Sequence, residues 1–145
     1  MNAEGFPASL DRPAEVIYAV RLTIASLVLA LVAFPLKGPA MIKPSPIILG
    51  IFAIFLTLSF TGFLIFMILR GQNWARLLYI TLFFLGLPFS FPAFLIILSK
   101  NPVAAVINLL QLSLQMMAVV LLLQKPARDW FRFIKLQKLM NYQVP

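Results

Sequence analysis

The sequence predicts an all-α integral membrane protein, a bundle of four transmembrane helices followed by a C-terminal interfacial helix. Four long apolar stretches lie between Val16 and Leu123, and nearly all charged residues lie outside them. Each stretch has about 19 to 23 residues, which at about 1.5 Å per residue matches a hydrocarbon core of about 30 Å. The stretches are Val16–Phe34, Ile47–Leu69, Leu77–Leu98 and Val103–Leu123.

The composition also indicates a membrane protein. Hydrophobic residues make up 62% of the 145 positions and charged residues 11%, with a mean hydropathy of +0.99. A soluble domain usually keeps about a quarter of its residues charged. We divide the chain into an N-terminal cytoplasmic segment (1–12), a transmembrane domain (13–124) and a basic amphipathic tail (125–145). The segment before the first span is acidic and that span is long, which predicts a retained helix rather than a cleaved signal peptide.

The predicted helix starts share a signal, a capping side chain closely followed by proline. The capping oxygen accepts a free backbone N–H, and proline lacks the N–H that would be unpaired there. These pairs are Asp11 with Pro13, Ser45 with Pro46 and Asn101 with Pro102. Asn73 is a further predicted cap, without proline, and Pro88 and Pro92 predict a kink in the third span. The connections are short, so consecutive helices should be antiparallel neighbours.

The distribution of positive charge predicts the orientation. Nine of the 12 lysines and arginines flank one side of the predicted bundle, which the positive-inside rule assigns to the cytoplasm. These nine are Arg12, Arg21, Arg70, Arg76, Lys125, Arg128, Arg132, Lys135 and Lys138. Both termini should therefore be cytoplasmic. Because the cations flank apolar spans, the net charge of +8 indicates anionic lipid headgroups as partners, and not nucleic acid.

The sequence lacks the residues that several classes of membrane transporter and enzyme require. All four acidic residues lie outside the spans, so a proton-coupled antiporter has no titratable group at depth. Small multidrug-resistance transporters therefore resemble the chain only in layout. Cysteine and histidine are absent, which excludes the membrane disulfide-forming oxidoreductases and the commonest metal ligands. We expect neither an enzyme nor a cofactor.

Polar and small residues recur at helical spacing within three spans. In the fourth span, Asn108, Gln111 and Gln115 share one face and form the strongest polar cluster at bilayer depth. Unsatisfied amides are costly in lipid, so this face should lie inside the protein or an oligomer. A hydrogen-bonded packing seam is favoured, and the lining of a wet cavity is the alternative. The small-residue stripes of the other two spans, which predict helix packing, are Ala19, Thr23, Ser26, Ala30 and Ala33, and Gly50, Ala53, Thr57 and Thr61.

The turn between the second and third spans and the tail are basic and aromatic. The turn brackets Trp74 between Arg70 and Arg76, and Trp74 and Tyr79 suit the headgroup layer. In the tail, Arg128, Trp130 and Arg132 belong to a moderately amphipathic segment that should lie on the cytoplasmic leaflet. The simpler interpretation of both segments is an interfacial anchor. The sharper one is a docking site, whose candidate residues are Arg70, Trp74, Arg76, Arg128, Trp130 and Arg132.

Two short motifs and their context carry a resemblance. The turn Gly71–Arg76 reads GQNWAR, and the exit from the last span, Pro126–Phe131, reads PARDWF. The chain resembles, over nearly its whole length, a group of small four-span bacterial inner-membrane proteins with a G-R/Q-N-W-A-R turn and a P-S/A-R-x-W-F exit. The resemblance implies membrane class and location, and it implies no activity.

The expected function is that of a non-enzymatic membrane interaction protein. It would be an accessory subunit of a larger assembly, or a protective (immunity-like) partner of a membrane toxin, binding another membrane protein or itself. The alternative is a small oligomeric transporter or channel for neutral or amphipathic solutes, and the missing intramembrane carboxylate counts against transport.

The orientation is directly testable. Topology reporters fused after residue 145 and within residues 35–44 should give opposite signals, with the tail fusion active in the cytoplasm. A periplasmic signal from the tail fusion would mean that the charge distribution does not set the orientation.

Overall fold

Five helices make up the protein in the computed structural model, which describes residues 12–36 and 47–143. Within those residues there is no strand, and four of the helices are long and apolar enough to cross a membrane. The chain is thus an all-α, multi-pass membrane protein. The helices are α1 (Ala14–Leu36), α2 (Ile47–Leu69), α3 (Asn73–Lys100), α4 (Pro102–Leu123) and α5 (Lys125–Gln143).

The helix ends confirm one predicted cap and correct another. The Asn101 side chain accepts a hydrogen bond from the backbone N–H of Ala104 at 3.1 Å, with proline next in the chain, as predicted. The prediction for Asn73 is wrong, because α3 begins at Asn73 itself and Gln72 precedes it without a capping side-chain bond. Asp11 and Ser45 lie outside the described residues. The third helix continues as an α-helix through both of its prolines.

A large apolar cluster joins all five helices at one end of the bundle, and we call it the main core. It combines the N-terminal parts of α1 and α3 with the C-terminal parts of α2 and α4. Successive spans therefore run in opposite directions. Its buried members are Val16, Ala19, Val20, Leu64, Ile68, Ala75, Ile80, Ala118, Val119, Leu122, Ala127, Trp130 and Phe131.

The most extensive helix contact joins the first span to the fourth. Small side chains make it close: Ala19, Ser26 and Ala33 of α1 are buried, and so are Ala104 and Ala118 of α4. Without a hydrophobic driving force between helices in lipid, such small residues let backbones approach and gain van der Waals contact. The predicted packing of the first stripe is confirmed by this burial.

The second span is packed differently from the prediction. Ala53 and Thr57 of its small-residue stripe are exposed, so the expectation that these two residues form a close helix contact is wrong. Thr57 and the half-buried Thr61 instead line a cavity between the spans. The reason is that α2 joins the main core through Leu64 and Ile68, which lie near its other end. The Thr57 hydroxyl donates to the Ala53 carbonyl at 2.8 Å, and this bond within the helix satisfies the hydroxyl as a donor.

The tail helix packs against the end of the bundle. α5 contacts α1, α3 and α4, and its Ala127, Trp130 and Phe131 are buried in the main core. Its Arg128 and Arg132 remain exposed. The sequence predicted that the apolar face of the tail helix lies on the membrane surface, but part of this face packs against the bundle instead.

Gly71, in the turn between α2 and α3, makes this docking possible. Its φ of +72° is the left-handed conformation that glycine adopts without steric cost. A Cβ at this position would lie 2.9 Å from Ile134 Cγ2 and 3.3 Å from Trp130 Cη2. The turn thus leaves the space that the tail helix fills.

Gly71→Ala should destabilise the protein and loosen the tail. Left-handed backbone costs a non-glycine residue about 1–2 kcal/mol, and the displaced Ile134 adds to that cost. Thermal unfolding in mild detergent and protease sensitivity of the tail measure the two effects. Gly62→Ala is the matched control, because a Cβ there meets no atom within 4 Å. Equal behaviour of the two variants would contradict the role given to the turn.

Candidate functional site

The three amides of the fourth span lie side by side in the middle of α4. Asn108, Gln111 and Gln115 are each half-buried, whereas Ala104 and Ala118 at the two ends of the same face are buried. The small residues bring α4 close to its neighbours, and the amides occupy the wider space between those two contacts. The face is neither a sealed seam nor a lipid-exposed surface.

All three amides line a cavity of about 260 Å³ between α3 and α4, which we call the outer groove. The α3 wall supplies Ser90, Phe91 and Phe94. Phe91 is 66% exposed and Leu109, on the α4 wall, is 53% exposed, so the groove opens on the outside of the bundle. Amides at bilayer depth are therefore reachable from lipid through an aromatic-lined opening.

One of these amides has an unmet hydrogen-bonding capacity. The Oε1 atom of Gln111 is buried and has no hydrogen-bond partner among the described residues. Leaving a buried acceptor unsatisfied costs about 1–3 kcal/mol. A ligand or helix that donates a hydrogen bond here would recover that free energy.

A second cavity, of about 230 Å³, lies between all four spans, and we call it the inner cavity. Its polar lining is neutral and comes from every span: Thr23, Ser26, Thr57, Thr61, Tyr79, Gln111 and Gln115. Gln111 and Gln115 also line the outer groove, so they form the wall between the two cavities. Hydroxyls and amides can bind a neutral polar group, but they offer no strong acid or base.

The inner cavity contains a hydrogen bond between spans. The Tyr79 hydroxyl of α3 lies 3.1 Å from Thr23 Oγ1 of α1, which also donates to the Ala19 carbonyl at 2.9 Å. The sequence placed Tyr79 among the headgroups, and the structure turns it inward instead. Tyr79 shares a helix face with Ala75 and Arg76, which are both buried, but the sequence alone does not show that burial.

The six residues predicted for interfacial docking do not form one surface. Arg70, Trp74, Arg128 and Arg132 are exposed, whereas Arg76 and Trp130 are buried. The Arg70 guanidinium, just after the end of α2, lies 4.4 Å from the centre of the Phe66 ring on the outside of the bundle. The structure does bring the two motif segments together, since Trp130 covers the turn at Gly71.

Of the six residues, Arg76 departs furthest from its predicted position, which was just beyond the headgroup layer. It is only 8% exposed, and its guanidinium carbon lies 5.0 Å from the centre of the Phe131 ring. The sequence could not show this burial, because the covering ring comes from α5, more than 50 residues away in the chain.

Comparisons with known proteins add no further identification: no known protein family, no curated protein and no solved structure matches this chain.

Tyr79→Phe should lower stability by about 0.6 kcal/mol, the average for a hydrogen bond between membrane helices. Unfolding of the detergent-solubilised protein by a denaturing detergent measures the change. Tyr18→Phe is the control, since Tyr18 is 55% exposed. In a double-mutant cycle with Thr23→Val, the two effects should not add. Additive effects would show that the two hydroxyls are not coupled.

Proposed function

We propose that the protein is a non-enzymatic interaction protein of the bacterial inner membrane. It acts as an accessory subunit, or as a protective (immunity-like) partner, of another membrane protein. Both termini face the cytoplasm. The positive charge on one side of the bundle and the resemblance to small four-span bacterial inner-membrane proteins support this location.

The observation that carries the proposal is the unsatisfied Gln111 amide in the outer groove. The groove has room for side chains, its rim is aromatic, and its opening faces the lipid from which another membrane helix would approach. We assign it to a transmembrane helix of a partner protein that carries a hydrogen-bond donor such as serine, threonine or asparagine. Polar side chains of this kind join helices in membranes.

The lining of both cavities supports a binding role over a catalytic one. Neither cavity is lined by a carboxylate, a lysine or an arginine. A nucleophilic serine or threonine needs a neighbouring base for activation, and amides cannot supply it. The described acids are Glu15, in the first turn of α1, and Asp129, after the first turn of α5, and neither lines either cavity.

A second candidate is a small transporter or channel for neutral or amphipathic solutes, formed by an oligomer. The specific observation in its favour is the inner cavity, whose neutral polar lining comes from all four spans. Gln111 and Gln115 would then separate a solute site inside the bundle from an entrance at the outer groove.

A photo-crosslinking amino acid at position 108 or 111 should give a discrete protein adduct in native membranes. The same reagent at Val106 should give none, because Val106 is 66% exposed and points away from the groove on the same helix. Adding Gln111→Leu to the protein that carries the crosslinker at position 108 should reduce the adduct severalfold, since the amide that holds the partner is removed.

The identity of the adduct decides between the candidates. A heterologous membrane protein supports the accessory role, and a dimer of this chain supports self-association. Adducts with lipid alone at both positions would overturn the partner-helix assignment. Labelling of cysteines placed at 108 and 111 by a water-soluble maleimide would then favour the transporter.

A further inference from the structure

The end of the bundle under α5 has buried hydrogen-bond donors without acceptors. The Nε and Nη1 atoms of Arg76 and the Nε1 atom of Trp130 are all buried, and none has a hydrogen-bond partner among the described residues. A guanidinium and an indole N–H donate and cannot accept. Among the described residues these donors therefore have no acceptor, in contrast to the outer groove, where the unsatisfied atom is an oxygen.

The charge at this end is also unbalanced, because the described acids there, Glu15 and Asp129, are outnumbered by arginines and lysines and leave Arg76 Nε and Nη1 without a partner. Arg76 is buried, and Arg128 of α5, one helical turn before the Phe131 ring that covers Arg76, brings a second positive charge to this end. Burying an unpaired charge is unfavourable, and a neighbouring like charge adds to the cost. The contact with the Phe131 ring offsets only a part of that cost. An anion beside both arginines would satisfy the donors and balance the charge.

We propose that Arg76 and Arg128 form a binding site for the phosphate group of an anionic lipid, at the end of the bundle that α5 covers. Phosphate is the anion that guanidinium groups match best, through charge-assisted hydrogen bonds. The site lies in the first turn of α3, next to Trp74, which is 47% exposed in a position typical of the headgroup layer. Lipid phosphates are the anions present at that depth.

The docked tail helix supplies part of this phosphate site. Phe131 covers one side of the Arg76 guanidinium, and Arg128 precedes Phe131 by one helical turn. A bound phosphate would therefore hold α3 and α5 together through one cation from each. Anionic lipid would stabilise the docked tail in addition to attracting the basic surface. The site does not depend on the partner assigned to the outer groove.

Native mass spectrometry of the full-length protein in mild detergent tests this site. Phosphatidylglycerol should be retained more strongly than phosphatidylcholine, which carries phosphate but no net charge. Arg76→Gln and Arg128→Gln should each weaken retention of phosphatidylglycerol by about tenfold, since each removes a charge-assisted hydrogen bond. Arg128 is exposed, so the second variant keeps the test valid if Arg76→Gln does not fold.

Arg70→Gln and Arg132→Gln are the matched controls, because each removes one positive charge from an exposed arginine. Retention in these controls should change by less than about threefold, because screening weakens the pull of an exposed charge on the lipid. A similar loss in all four variants would mean a diffuse basic surface, and unchanged retention in Arg76→Gln and Arg128→Gln would exclude the site. Either result overturns the proposal.

Two further arms distinguish the source of the anion. Excess inorganic phosphate should not displace phosphatidylglycerol, and displacement would assign the site to a soluble anion instead of a lipid. The double variant Glu4→Gln/Asp11→Asn should retain phosphatidylglycerol as the unmodified protein does. Increased retention would show that a carboxylate of the same chain competes for the arginines, and would overturn the assignment to lipid.

Discussion

The constraint on which this structure depends is that a polar group within the hydrocarbon core finds no water. Helical backbone satisfies its own hydrogen bonds, and several hydroxyl side chains do the same by donating to a carbonyl of the preceding turn, as Thr23, Thr57 and Ser113 do. The amides of α4 cannot all be satisfied in this way. Their position therefore determines where a hydrogen-bonding group remains unsatisfied within the bundle.

Packing is distributed unevenly along the bundle. The main core joins all five helices at the end where α5 docks, whereas the opposite end has a smaller cluster around Ile97, Ala104 and Ala105. Between them lie the two cavities that share Gln111 and Gln115. The bundle is therefore well packed at the end under α5 and has open space with a polar lining at mid-depth.

The two unsatisfied regions differ in chemistry and in depth. Gln111 offers an acceptor within the membrane, and Arg76 with Trp130 offers donors at its edge. A donor-bearing helix suits the first region and an anion suits the second. The first region lies between α3 and α4, which follow each other in the chain. The second joins α3 to the distant tail helix, whose Phe131 covers Arg76.

The sequence by itself determined the four spans, the alternating direction of the helices and the cap at Asn101, because hydropathy, loop length and capping are local properties. It also identified the amide face of α4 from helical periodicity alone. It did not predict that α1 packs chiefly on α4, that Thr57 of the α2 stripe stays exposed beside a cavity between the spans, or that Tyr79 turns inward. Above all, only the tertiary structure decided that Arg76 lies buried beneath Phe131. Periodicity shows which residues share a helix face, but the neighbour of that face depends on contacts between distant segments, and in lipid apolarity does not distinguish a packed face from an exposed one.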